Sequence, residues 1–323
     1  MKYKYLLLLI ATALLLNACH TTTKNNVPTI GFVDAFEDAT IAQSRTGFVD
    51  ALKKNGFSED QKNVKIIYRN AQGSQPVLGQ IVDYFIGEKV DLLATCTTVS
   101  TIAAIQKTKT IPVYMMVSPT PKLMQVEDAS GKAPANLFGV DEELAYIDTS
   151  FSIIPKVLKP KSNKLVVGMI YNQSEPQSVD AMNRIKGMAD KLNITLTAIP
   201  VNASADAQLV TKSLLSKDLD AFFANPDNVV FESFETILKA CDQKNVPIFT
   251  SEAGLVQRGA VAAFGADIYQ WGYQAGEQAA QYLKTHKTDG LQPEMVKIRQ
   301  RVYNAAAAKK YNLTFPSNFE AVK

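Results

Sequence analysis

The 323-residue sequence predicts an α/β protein of two open, mostly parallel lobes. Three observations carry that expectation. Continuous Val/Ile/Leu runs alternate with helix-length segments, the pattern of strands buried on both faces. The alternation runs through the chain twice, over stretches of similar length. Between the two series, Ser118 to Ala135 is rich in Pro, Gly and charge, which marks it as a candidate crossing between lobes.

In chain order, Thr29-Ile30-Gly31-Phe32-Val33 is the first strand, and a helical pattern follows from about Ile41 to Lys54, ended by Gly56. Asn63 to Tyr68 reads as a strand, Pro76 to Gly87 as a helix and Val90 to Cys96 as a strand. A helix from about Val99 to Gln106 leads to the strand Ile111 to Val117. The rhythm restarts with strand Lys164 to Tyr171, helix Ser178 to Leu192 and strand Ile194 to Pro200. A helix near Ala205 to Leu215, strand Asp220 to Ala224, helix Val229 to Gln243 and strand Val246 to Thr250 follow. Val261 to Phe264 is one more apolar run, Tyr269 to Lys284 a long helix, and Met295 to Tyr303 a final basic strand. In that long helix Gly272-x-x-x-Gly276 reads as close helix packing.

The first nineteen residues predict where the protein works. Lys2 and Lys4 precede an apolar run from Tyr5 to Leu16, and Leu16-Asn17-Ala18-Cys19 closes it, the plan of a secretory signal. The run is shorter than the roughly 20 residues a membrane-spanning helix needs. The segment around Cys19 resembles the lipobox of bacterial lipoproteins. That resemblance implies cleavage before Cys19 and a diacylglycerol on its thiol, tethering the body outside the cytoplasm on a bacterial membrane.

Composition narrows the function. Hydrophobic residues at 46% and charged residues at 20% describe a globular chain, and the formal charge of +3 falls to +1 without Lys2 and Lys4. A near-neutral chain with no basic block argues against nucleic acid as a partner. His20 and His286 are the two histidines, one beside the terminus expected to be lipidated and one in a Lys-rich segment. The motifs of zincins, α/β-hydrolases, P-loop proteins and dinucleotide binders are absent from the sequence. The expectation is a protein that is not an enzyme and takes neither cofactor nor metal. Cys96 and Cys241 are expected as buried apolar residues rather than a disulfide.

Four segments then carry a resemblance in order: Asn70-Ala71-Gln72-Gly73, Tyr171 to Ser178, Pro226-Asp227-Asn228 and Arg258-Gly259-Ala260. From about Pro28 to Lys284 the chain resembles the substrate-binding lipoproteins of ABC importers, in the TrpX-like group that includes aromatic-amino-acid binders. The resemblance implies a type I periplasmic-binding-protein fold, two Rossmann-like lobes joined by a three-segment hinge. It also implies a monomer that delivers a small ligand, an amino acid, to an ABC permease. The expected organisation is a signal peptide over 1–18 and a tether over 19–27. The first lobe is expected over 28–135 plus about 253–286, and the second over 136–252 plus about 287–323. A sensor feeding a membrane receptor, a sugar-binding protein on the same scaffold and an enzyme working through Glu175 and Asp227 are the rival readings.

Open parallel sheets hold ligands outside the carboxyl ends of their strands, so strand-ending residues are the candidates. Thr97 and Thr98 end a strand and open a helix, where free N–H groups and the helix dipole suit a carboxylate. Plain capping is the alternative, and Thr98 matches the family's helix-opening Thr. Glu175 and Ser178 follow one strand, and Asp227 and Asn228 another. Two acids at corresponding strand ends of one lobe suit an ammonium, although acids in a first helical turn also occur for capping alone. Pro176-Gln177 stands where the family has Ala-Asn, and Val117-Ser118-Pro119 where it has Asp-Pro. Asp267 is a cleft residue or the cap of the helix around Tyr269. Phe36 is a stacking candidate or core, with Tyr171 and Trp271 as further aromatics. Gln72 with Gly73 shapes the cleft rim or only a turn.

Overall fold

The computed structural model describes residues 27–322. The expected signal and the Cys19 anchor lie outside the described residues. Two sheets organise the chain. The first contains β1 (Thr29–Asp34), β2 (Lys65–Asn70), β3 (Leu92–Cys96), β4 (Val113–Pro119), β5 (Leu137–Glu142) and β11 (Glu294–Met295), in the order β11-β5-β4-β3-β1-β2 and all parallel. The second contains β6 (Val166–Asn172), β7 (Thr195–Val201), β8 (Ala221–Ala224), β9 (Ile248–Thr250), β10 (Ala262–Ala266), β12 (Arg299–Tyr303) and β13 (Glu320–Ala321). Its order is β13-β12-β10-β9-β8-β6-β7, parallel except where β12 runs against β10.

The central strands read as uninterrupted apolar runs because both faces are covered. Every residue of β3 and of β8 is buried. In the first lobe the helices are α1 (Ala42–Lys54), α2 (Gln75–Gly87) and α3 (Thr98–Lys107). The second lobe has α4 (Tyr146–Phe151), α5 (Ile154–Val157), α6 (Pro176–Lys191), α7 (Ala207–Leu214), α8 (Asn228–Glu232), α9 (Phe234–Gln243) and α10 (Ala253–Gln257). Helix α11 (Ile268–Thr285) returns to the first lobe, and α12 (Ala305–Lys310) closes the second. Cys96 and Cys241 are buried free thiols.

The chain passes between lobes after β5, between β10 and α11 at Asp267, and between β11 and β12. The boundaries expected from the sequence shift accordingly. Ser118 to Ala135 does not cross: it runs back along the first lobe so that Leu137–Glu142 can lie parallel to β4, and residues 136–142 belong with the first sheet. Residues 253–266 belong with the second lobe, because β10 pairs with β9 and β12. The expected strand Met295 to Tyr303 is two strands, one per sheet, separated by the third crossing. The expected helix Val229 to Gln243 is broken at Ser233 into α8 and α9.

Glycines let α11 lie directly on α1. A Cβ on Gly47 would sit 2.0 Å from the carbonyl oxygen of Tyr269, and one on Gly272 would sit 1.8 Å from that of Ser44. Gly276 faces the carbonyl of Phe48 in the same way. Backbone cannot yield as a flexible side chain does, so these contacts fix how the returning helix docks. Gly272→Ala is expected to lower the unfolding free energy by about 2 kcal/mol or more, the scale of overpacking. A shift in the urea midpoint checks this, with Gly187→Ala, at a helical position facing open space, as the comparison.

Candidate ligand-binding site

Both sheets turn the carboxyl ends of their strands toward the space between the lobes, and the strand-end residues enclose a cavity there. The space there, counting what opens to solvent, is about 490 Å³. The first lobe contributes Thr97, Thr98, Val117, Ser118, Glu142 and Trp271. The second contributes Tyr146, Gln177, Asp227, Asn228, Phe231 and Glu252. Ile41, Pro119, Leu144 and Pro226 complete largely apolar walls. Trp271 donates its indole N–H to the Val140 carbonyl at 2.8 Å, which fixes the ring against the cavity.

On the first-lobe side, Thr97 occupies the N-cap position of α3, but its side chain makes no capping hydrogen bond. Its backbone, at φ 74° and ψ 161°, lies in a region that is essentially glycine's. Its Oγ1 is buried without a hydrogen-bond partner among the described residues. A strained β-branched residue with an unpaired buried hydroxyl at a helix N-terminus is poorly explained by capping. Val117 also has a positive φ, 52°, at an irregularity in the β4–β5 ladder. That kink falls at Val117-Ser118-Pro119, where the resemblance implies an Asp-Pro. Ser118 instead places its hydroxyl 3.1 Å from Thr101 Oγ1.

On the second-lobe side, Asp227 is buried and accepts three hydrogen bonds. The Val230 N–H donates to Oδ1 at 2.8 Å, while the Asn172 N–H and the Ser178 hydroxyl donate to Oδ2, each at 2.8 Å. Ser178 therefore braces Asp227 rather than lining the cavity, and it also receives Asn225 Nδ2 at 2.8 Å. Glu175 is the N-cap residue of α6, yet its carboxyl makes no capping bond to that helix. It accepts instead from Asn172 Nδ2 at 2.9 Å, from Asn228 Nδ2 at 3.0 Å and from Gln177 Nε2. Tying Nε2 to Glu175 leaves Gln177 Oε1 buried and without a partner among the described residues. Thr97 Oγ1 and Gln177 Oε1 are thus unpaired polar atoms of residues that line one cavity from opposite lobes.

Burial and the neighbouring charge of Asp227 push Glu175 up to about 8. Burial also raises Asp227. Hydrogen-bond donors oppose the rise at both carboxyls, and Glu175, pushed to about 8, is the one that holds a proton near neutrality. Glu252, pushed up to about 8 by burial, receives the Tyr146 hydroxyl at 2.9 Å. Burial raises Glu142 as well, while Arg299 grips it through two bonds of 2.9 and 2.6 Å.

The remaining sequence candidates go elsewhere. Phe36 and Gln72 line a wider recess of about 900 Å³ between the lobes, together with Asn172, Ser174 and Glu175. Phe36 packs over Gly73, whose φ of 79° makes the tight turn. Asp267 is the cap of α11: its Oδ1 receives the Gln270 N–H at 3.0 Å and its Oδ2 the Gln300 amide. Tyr171 packs on the core of the second lobe and lines neither space. Sequence reasoning missed Glu142, Tyr146, Phe231 and Glu252. The strand-end rule reaches Glu142 once β5 is assigned, and Glu252, two residues past the strand expected over Val246 to Thr250, already lay within its reach.

The model of the ABC transporter substrate binding protein family matches residues 29–322. The chain belongs to that family. Its members are substrate-binding proteins, not enzymes. Over 255 residues this substrate-binding protein is 31% identical to the tyrosine-binding protein of Clostridioides difficile strain R20291, covering 79% of this chain and 72% of that one. A conserved domain protein from Vibrio cholerae superposes with a TM-score of 0.81 at 27% identity, over 92% of this chain and all of that one. The ligand-free, open form of a substrate binding protein with adhesive properties from Clostridium difficile is also 27% identical, over 92% of this chain and 99% of that one, but scores 0.66. An ABC domain in complex with L-Trp from Streptococcus pneumonia shares the fold, with a TM-score of 0.81 and 23% identity over 90% of this chain and 96% of that one.

Carboxyl groups raised in the folded state bind protons that the unfolded chain has released. Between pH 5 and 8 the native ligand-free protein therefore holds more protons at Glu175 and Glu252 than the unfolded chain, and stability falls as pH rises through this window. Urea unfolding of the ligand-free protein at pH 5, 6, 7 and 8 is expected to give a steadily falling midpoint.

Proposed function

We propose that this substrate-binding protein captures an α-amino acid with an aromatic side chain and presents it to an ABC permease. In this reading it is a monomer held outside the cytoplasm by a lipid on Cys19. The carrying observation is one cavity lined from the first lobe by Thr97 and Thr98 at the N-terminus of α3 and from the second by Asp227, Asn228 and Gln177, with apolar side chains between the polar groups. A ligand carboxylate meets the N–H groups of α3 and the positive end of its dipole. The ammonium meets the charge on Asp227 and the free Oε1 of Gln177. The ring lies among Trp271, Tyr146 and Phe231. Burying about 150–250 Å² of aromatic surface contributes roughly 4–6 kcal/mol, much of a micromolar affinity before the cost of closing the lobes.

The relatives' ligands support the choice. One is described as tyrosine-binding and another was solved with L-Trp. A buried carboxyl pair with no cationic partner among the described residues favours a charged amine over a sugar, whose neutral hydroxyls leave Asp227 uncompensated. Glu175 then acts as an adjustable charge. An arriving ammonium favours its ionised form, so the proton leaves as the ligand binds.

Titration calorimetry is expected to show L-tryptophan and L-tyrosine binding near the micromolar range. N-acetyl-L-tryptophan, with its amine blocked, should bind at least a hundredfold more weakly, and equal affinity for the two would refute the charge match. Gln177→Leu is expected to weaken L-tryptophan by about tenfold, or 1.4 kcal/mol. Repeating the titration at pH 7 in buffers of different ionisation enthalpy should reveal net proton release, and no release would speak against the role given to Glu175.

A further inference from the structure

We infer that Arg258 is a positioning residue that couples closure of the lobes to the shape of the cavity. The inference uses the proposed function only in taking the lobes to open and close. Arg258 follows α10 in the second lobe, and its guanidinium reaches across to the loop after β1 in the first. Nη1 donates to Asp38 Oδ2 at 2.6 Å and to Thr40 Oγ1 at 3.1 Å. Nε and Nη2 hold both oxygens of Glu235 at 2.8 and 2.9 Å, and Nη2 also donates to the Phe231 carbonyl at 3.1 Å. All five donors of the fork are therefore engaged. Two join the lobes, and one holds the backbone of Phe231, whose residue lines the ligand cavity.

The two carboxylates on Arg258 are unlike. The Asp38 side chain is 1% exposed, whereas that of Glu235 is 67% exposed. The exposed pair is screened by water and holds Arg258 within its own lobe. The buried pair spans the lobes. Opening that separates Asp38 from Arg258 leaves both charges to be rehydrated, and Asp38 is anchored on its own side by the N–H groups of Thr40 and Ile41 on Oδ1. Gly254 supports the same contact, since a Cβ there would lie 2.1 Å from the Thr40 methyl. Lysine, a point charge with three donors, cannot reproduce this arrangement. The closed state therefore depends on a side chain that touches no ligand.

Asp38→Asn is the discriminating variant, because an amide oxygen still accepts from Thr40 and Ile41 while the charge facing Arg258 is lost. Glu235→Gln is the control that perturbs Arg258 without touching the first lobe. A fluorophore pair on Lys53→Cys and Leu209→Cys, one exposed site on each lobe, reports closure in otherwise full-length protein. Without ligand, Asp38→Asn and Arg258→Lys are expected to lower the closed fraction relative to the parent, and Glu235→Gln to leave it within twofold. With L-tryptophan, the first two are expected to bind tenfold or more weakly, mainly through faster dissociation, at unchanged urea midpoint for Asp38→Asn. An unchanged closed fraction in both Asp38→Asn and Arg258→Lys overturns the inference, as does a Glu235→Gln effect equal to theirs. Failure of the parent protein to bind either aromatic amino acid counts against the ligand assignment alone, since the ligand-free closed fraction still decides the role of Arg258.

Discussion

Two buried carboxyl groups sharing one negative charge are the constraint around which the second lobe is arranged. Asp227 ties three elements together, taking one hydrogen bond from the end of β6, one from Ser178 in α6 and one from the first turn of α8. Three donors favour its anion, and a second anion beside it is then disfavoured. Glu175 absorbs that conflict by holding a proton, and its amide partners Asn172, Gln177 and Asn228 hold it in place. The arrangement is stable without a cation and becomes more strongly charged when one arrives, which is how a binding protein avoids burying a permanent unpaired charge.

The first lobe supplies the opposite chemistry and a rigid frame for it. Thr97 and Val117 both carry positive φ at the cavity wall, a conformation that costs on the order of 1–3 kcal/mol at each residue and persists only where the surroundings hold it. The holding structure is visible. Thr101 joins the Thr97 carbonyl, Thr95 and Ser118 through its single hydroxyl, and α11 is docked backbone to backbone on α1. Strain at the helix N-terminus points the hydroxyl of Thr97 away from capping and leaves α3 open to a negative group. Arg258 and the Glu142–Arg299 pair then join this frame to the second lobe.

Much of this was legible in the sequence, for reasons that also explain where legibility ended. Strands buried on both faces announce themselves as apolar runs, so the two β-α series could be read directly. The strand-end rule then found Thr97, Thr98, Asp227 and Asn228. Sheet membership is a non-local property, however, and Leu137-Phe138-Gly139-Val140 behind a Pro- and Gly-rich loop gave no sign that it returns to the first sheet. That error displaced the crossings and hid Glu142 and Tyr146. Which face a strand-ending side chain takes is settled by twist and packing: Tyr171 lies half-buried against the core of the second lobe while its neighbour Asn172 turns to the carboxyl pair. Asp267 satisfied two equally good sequence rules, and the structure assigns it to capping through Gln270 and Gln300. The pairing of Arg258 with Asp38 spans some 220 positions and has no local signature at all.

Everything in the site turns on a negative group and an amine occupying opposite ends of one dry space. A high-resolution crystal structure of the protein grown with L-tryptophan measures this directly. The account predicts the ligand carboxylate on the N–H groups at the start of α3, beside Thr97, and the ammonium within about 3.2 Å of Asp227 and Gln177 Oε1. An occupant seated instead in the recess beside Phe36, or one whose amine points into solvent, would contradict it.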